Sequence, residues 1–180
     1  MDGESCVRKA YEYILNGDFE AAIEWFEQAI AADPANPSFY HKCAVSCARS
    51  GKWSKAKVYA DYAEKLEPDN EEYRYHSGVI RARLLLVEAN GLLSHTPPLL
   101  GEAATMLRQA VTLDPLYFDA IYTLALVWQR AGDLEEAYVC AREALRLDPQ
   151  HAAAKRLFGD IRRKRRFRAI TSTFSRKKDR

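Results

Sequence analysis

The sequence predicts an all-α fold, an α-solenoid of about four helix pairs closed by a C-terminal capping helix. Three observations carry this expectation: small residues recur at a fixed period, glycines separate runs of helical periodicity, and a proline closes each period. The columns Ala22, Ala56, Ala103, Ala137; Ala29, Ala63, Ala110, Ala144; and Pro34, Pro68, Pro115, Pro149 each step by 34, 47 and 34 residues. A further column, Ala10, Ala44, Gly78 and Ala125, steps by 34, 34 and 47, so 13 extra residues lie between Gly78 and Ala103. A fixed period of this length is the signature of stacked supersecondary units, each burying its apolar face against its neighbours.

The first unit, residues 3–36, predicts helices over 3–16 and 19–32. Ala10, Ala22 and Ala29 let its two helices approach closely, while Phe19, Phe26 and Ile30 fill the space between units. Gly17 supplies the positive φ of a tight turn, and Asp18 accepts a hydrogen bond from the free N–H groups of the next helix start. Pro34 stops the second helix, because the residue before a proline is pushed out of helical geometry. The second unit, 37–70, repeats the scheme with helices over 37–50 and 53–66 around Gly51. The third, 71–117, carries the insertion and predicts helices over 71–90 and 99–113, with Pro97 and Pro98 near the turn in place of a glycine. The fourth, 118–151, predicts helices over 118–131 and 134–147 around Gly132 and Asp133. A ninth helix begins near Gln150, and over 152–161 its Leu157, Phe158 and Ile161 cover the open face of the last pair, as a terminal cap must.

The insertion "LLLVEANGLLSHTPPLL", residues 84–100, reads as one or two extra helical turns followed by a loop. Its leucines are expected to pack on the array, with a sticky partner edge as the alternative.

Composition agrees with a globular helical chain: 48% of residues are apolar, with only eight Gly and seven Pro. The longest apolar stretch is broken by Arg83, Glu88 and Asn90, well short of the roughly 20 residues of a membrane span. "MDGESCVRKA" reads as neither a signal nor a transit peptide, so a cytoplasmic location is expected, or a nuclear one in a eukaryote. Cys6, Cys43, Cys47 and Cys140 lack the density of a disulfide scaffold and read as reduced thiols. His41, Cys43 and Cys47 are a weak metal pattern without a second ligand pair, so neither a metal nor a cofactor is expected. No phosphate-binding glycine loop, HExxH or framed nucleophilic serine occurs, and the chain is expected not to be an enzyme.

These columns resemble the tetratricopeptide repeat, a 34-residue pair of antiparallel helices with small residues at three places and a closing proline. The resemblance spans about residues 3–151. It lacks the aromatic near the start of most first helices, which Tyr40 supplies in the second unit only, and the third unit lacks the inter-helix glycine. It implies a concave groove lined by places five, six, nine, twelve and thirteen of each unit. In the first unit these are Val7, Arg8, Tyr11, Ile14 and Leu15, and in the second His41, Lys42, Val45, Ala48 and Arg49. The third contributes Tyr75, His76, Val79, Ala82 and Arg83, and the fourth Tyr122, Thr123, Leu126, Gln129 and Arg130. A mixed basic and aromatic surface of this kind suits an extended peptide carrying carboxylates. The resemblance thus implies a non-catalytic adaptor or co-chaperone binding another protein or peptide. The residues with which related repeats clamp a chaperone's C-terminal carboxylate are not matched, since those places hold Val7, Tyr11, Lys42, Glu72 and His76.

Charge divides the chain. Residues 152–180 hold twelve Lys or Arg against two Asp, while residues 1–151 hold fifteen basic and 23 acidic residues. The segment 162–180 reads as a basic tail, amphipathic or disordered, with Arg162, Arg163, Lys164, Arg165, Arg166, Phe167 and Arg168 as candidate contacts and a second apolar stripe at Phe167, Ile170 and Phe174. Nucleic acid, anionic lipid, the chain's own acidic body and plain solvation remain open as its destinations. The oligomeric state is not legible.

Overall fold

The computed structural model describes the backbone of residues 1–178 and the side chains of residues 1–169. Among the described residues the regular elements are all helices: α1 (Gly3–Leu15), α2 (Phe19–Ala32), α3 (Pro37–Arg49), α4 (Trp53–Leu66), α5 (Glu71–Leu93), α6 (Leu100–Leu113), α7 (Phe118–Ala131), α8 (Leu134–Leu147) and α9 (Ala152–Lys178). The chain divides into two compact units, Met1–Leu84 and Leu85–Arg180, where the sequence groups residues 1–161 as one array. The division falls within α5, which contributes residues to each unit.

Helix boundaries follow local backbone rules. The helices α2, α4, α6 and α8 end at Asp33, Glu67, Asp114 and Asp148, whose φ values of −145°, −140°, −135° and −131° leave the helical region. Each precedes a proline, whose ring excludes the helical conformation there. Asp33, Asp114 and Asp148 then turn back to accept the N–H groups of Ala35, Leu116 and Gln150 at 3.2, 3.1 and 3.0 Å. Gly17, Gly51 and Gly132 take φ of 77°, 74° and 83° at the turns. The side chains of Asp18 and Asp133 accept from Ala21 N and Glu136 N at 3.0 and 3.1 Å, as the sequence predicts.

In the first unit, α1 pairs with α2, α3 with α4, and α2 packs on α3. Ala10, Ala22, Ala29, Ala44 and Ala56 are buried where the helices meet, with Ile23, Phe26 and Phe39 filling the space around them. Gly3 belongs to the same economy of space: a Cβ on it would meet the Phe39 ring at 2.6 Å. Cys43 and Cys47 are core side chains. Polar ties flank this core: Tyr59 Oη donates to Glu27 Oε1 at 2.6 Å, and Arg81 Nη2 donates to Asp61 and Glu64 at 2.8 and 3.1 Å.

In the second unit α6 packs on α7, α7 on α8, and α8 on α9. Ala125, Ala137, Ala141, Leu157 and Ile161 form one core cluster with Tyr138 and Phe158 against it, so the start of α9 does cover the last pair.

Two elements differ from expectation. The first is α5, which runs to Leu93; Leu86 is buried and Leu84, Leu85, Leu92 and Leu93 are half-buried, so most of the insertion's leucines pack. The second is α9, which continues without a break through Arg162 to Lys178 instead of ending at the cap. Its Arg and Lys are good helix formers and nothing after Ile161 interrupts them. The expected stripe at Ile170 and Phe174 lies outside the residues whose side chains are described.

Two predictions follow from the backbone and the ion pairs. Gly132→Ala at φ 83° should lose about 1 kcal/mol or more, whereas Gly91→Ala, inside α5 with open space around it, should gain roughly 0.5–1 kcal/mol; urea denaturation reads both. Burial works to raise the Asp61 carboxyl, but hydrogen bonds from Lys57 and Arg81 outweigh it and hold its pKa below the usual 3.8. A depressed folded pKa contributes stability above the unfolded value and loses it as pH falls through the folded one. The stability difference between the native chain and Arg81→Gln should therefore be largest near neutrality and shrink below about pH 4.

Candidate partner-binding groove

Helical spacing on α3 and α5 builds the site in the first unit. Ser38, His41, Lys42, Val45 and Arg49 recur at i, i+3, i+4, i+7 and i+11 on α3, and His76 follows Glu72 and Tyr73 by four and three residues on α5, so each set shares a face. Between them and Tyr11, Ile14 and Phe26 lies a groove of about 440 Å³. An adjoining groove of about 300 Å³ shares Val45, Arg49 and His76 and adds Trp53, Val79 and Arg83.

Its walls combine cations with rings. Lys42 Nζ donates to Ser38 Oγ at 2.6 Å and sits 6.0 Å from the Phe39 ring centre, and Arg49 lies 5.9 Å from that of Phe19. Tyr11 meets Phe26 edge-on at 5.9 Å. His41 packs against Tyr73 at 4.8 Å and His76 at 4.9 Å, with its Nε2 3.5 Å from Glu72 Oε1. Burial, then the neighbouring His76, lower the His41 pKa, with Glu72 opposing, so the imidazole is held neutral at pH 7.

Of the predicted residues, Tyr11, Ile14, His41, Lys42, Val45, Ala48, Arg49, His76, Val79 and Arg83 line these two grooves. Arg8 instead donates to Ser5 Oγ at 2.8 Å on the exposed side of α1, and Tyr75 is 62% exposed beyond the groove edge, its ring against His76. The same register places Val7 and Ala82 on the groove face, but they are buried, at 5% and 0% exposure. Their side chains are too short to reach past the neighbouring helices, so the core claims them. Ser38, Tyr73, Trp53 and Glu72 are groove residues beyond the predicted set; the spacing of four between Glu72 and His76 is the signal that would have found the last.

The second unit disposes of its predicted residues differently. Tyr122 stacks on Phe118 at 5.8 Å and lies 5.5 Å from His151, while Leu126 packs against the cluster that holds Leu157 and Ile161. Gln129 is half-buried and Arg130 exposed. Tyr122 and Leu126 are thus engaged in holding their own unit together.

The basic face of α9 is also partly engaged. Arg165 donates two hydrogen bonds to Glu135, at 2.9 and 2.6 Å, with its guanidinium 4.1 Å from the Tyr138 ring centre. Arg168 donates to Gly132 O at 3.2 Å, at the C-terminal end of α7 where helix carbonyls lack partners. Arg163 pairs with Asp160, and Arg162 lies 5.8 Å from the Phe158 ring centre. Lys164, Arg166 and Phe167 are exposed.

A hydrogen bond with Cys47 and burial push the Cys43 thiol up, the same hydrogen bond holds Cys47 down against its burial, and burial pushes Cys140 up to about 11.

Two family models match the chain, one described as "TPR repeat" over residues 10–51 and one as "Tetratricopeptide repeat" over 118–151. The chain contains tetratricopeptide repeats. Its fold is all-α and of the solenoid class, and solved structures of that class resemble it. MamA 41-end from Desulfovibrio magneticus RS-1 is 18% identical with a TM-score of 0.56, over 97% of this chain and 92% of that one. A further crystal structure of MamA is 21% identical with a TM-score of 0.52, over 92% and 89%. At these identities the likeness is one of fold. No curated protein matches by sequence. Tetratricopeptide repeats serve as protein-interaction scaffolds, and that general role is the one the repeats support here.

The α9 contacts carry a prediction. Arg165→Ala should lower stability in urea by up to about 1 kcal/mol, because the pair is largely solvated but reinforced by the ring of Tyr138. Arg166→Ala, on the exposed side of the same helix, should leave it unchanged within error.

Proposed function

We propose that this chain is a non-catalytic adaptor or co-chaperone that binds an extended, acidic peptide segment of a partner protein in the groove of the first unit. The observation that carries the reading is the convergence of Lys42, Arg49 and Arg83 with Tyr11, Val45 and Val79 on two adjoining grooves. Carboxylates of the peptide would meet the cations, which fix orientation and give salt sensitivity, while apolar side chains supply most of the affinity against the rings. Binding at equilibrium, not turnover, is the proposed mode, since the groove's cations and rings supply orientation and apolar contact. Four free thiols fit a reducing setting such as the cytoplasm.

The alternative partner class, nucleic acid or an anionic membrane surface, would act through Arg162, Lys164 and Arg166 on α9. The contacts of Arg165 and Arg168 with the body favour the groove reading, because they assign part of the basic run a structural task.

Fluorescence anisotropy with labelled ten- to twelve-residue peptides tests it, using Asp/Glu-rich sequences with one Leu or Phe anchor and lysine-substituted counterparts. The acidic set should bind more tightly, weaken with added salt, and lose roughly tenfold or more in affinity to a Lys42→Glu, Arg49→Glu variant. Equal binding of both sets, or binding untouched by the variant but lost on changing Arg162, Lys164 and Arg166 to Gln, would sink the groove reading.

A further inference from the structure

We propose that His41 of α3 with Glu72 and His76 of α5 forms a binding site for one zinc-class divalent transition-metal ion in the wall of the first unit's groove. Each of the three offers a ligand atom, and these atoms all lie within 4.8 Å of one another. Glu72 and His76 are four residues apart and therefore share one face of α5. His41 reaches them from α3, its Nε2 already 3.5 Å from Glu72 Oε1.

The geometry is close to what the ion requires. With metal–ligand bonds near 2.0–2.1 Å, ligand atoms around a tetrahedral zinc stand about 3.3 Å apart, so side-chain torsions need to draw the wider pairs in by roughly 1.5 Å. Two imidazoles and one carboxylate suit zinc, nickel or cobalt, whereas magnesium and calcium prefer oxygen alone. All three residues line the 440 Å³ groove, which leaves the fourth position to water and gives the ion a way in. Glu72 is exposed while the imidazoles are half-buried, an arrangement in which the carboxylate meets the ion first and the rings complete the site.

The site differs from the pattern of His41 with Cys43 and Cys47 that the sequence suggests. Those thiols are buried in the core, and the structure groups His41 instead with a carboxylate and an imidazole from the next first helix. Because the ligands come from α3 and α5, a bound ion would tie two helices together and stabilise the folded unit by mass action.

The test uses the full reduced chain, with Zn²⁺ competed against a chromogenic chelator and Co²⁺ followed by its visible absorption. One zinc per chain is expected, with a rise in thermal midpoint. His41→Ala and His76→Ala should each weaken binding by about tenfold or more, and Glu72→Gln should weaken it measurably. Circular dichroism checks that each variant folds; Glu72→Gln and His76→Ala change side chains outside the core and carry the test where His41→Ala does not fold. Zinc binding of equal strength in the Glu72 and His76 variants, a thiolate-to-cobalt band in the near ultraviolet, or no uptake at micromolar zinc would each overturn the proposal.

Discussion

Close approach of helices across alanine is the constraint on which the rest depends. Ala10, Ala22, Ala29, Ala44 and Ala56 in the first unit, and Ala103, Ala110, Ala125, Ala137 and Ala144 in the second, are buried with essentially no exposed surface. A larger side chain at such a contact has no void to enter and must displace backbone, which interiors packed to crystal density resist. This explains why the repeat is visible in small residues more than in large ones. The large residues, Phe26, Phe39 and Leu107 among them, need only fill the remaining volume, and different shapes do so acceptably.

Helix boundaries were legible because their causes are local. A proline acts on the residue before it and a glycine at positive φ on itself, so Pro34, Pro68, Pro115 and Pro149 with Gly17, Gly51 and Gly132 locate most ends to within a residue. The length of α5 and the continuity of α9 were less legible, since α5 runs on through Gly91 to Leu93, short of Pro97, and nothing directly after Ile161 interrupts α9. The groove was legible only in part. Repeat register identifies which face of a helix a residue occupies, but not whether its side chain is long enough to reach the surface, which separates Lys42 from Ala82, or whether a neighbouring helix claims it, which separates Val45 from Leu126. The association of His41 with Glu72 and His76 depends on two helices coming together and has only its i, i+4 half in the sequence.

The basic run shows how geometry divides what composition lumps together. Six cations in the ten residues from Ile161 to Ile170 look like one signal. On a helix they point in different directions, and the two that face the neighbouring pair find Glu135 and the terminal carbonyl of Gly132. Placing a guanidinium over Tyr138 buries its flat face while its edge keeps hydrogen bonds, a combination open to Arg and not to Lys. Part of the charge asymmetry between body and tail is therefore used within the second unit.

Glu72 joins the two proposals made for the first unit. As a bare carboxylate beside Lys42 and Arg49 in one groove, it repels the acidic peptide those cations attract. Coordination of a divalent ion by Glu72 and the two imidazoles would replace that negative charge with a net positive one and leave one position open to an oxygen donor. A peptide carboxylate is such a donor. Metal and acidic peptide would then favour each other's binding, and by thermodynamic linkage the factor must be the same in both directions. The coupling follows from the ion's two positive charges and its open position, which Glu72 and the two imidazoles would hold beside Lys42 and Arg49 in the same groove.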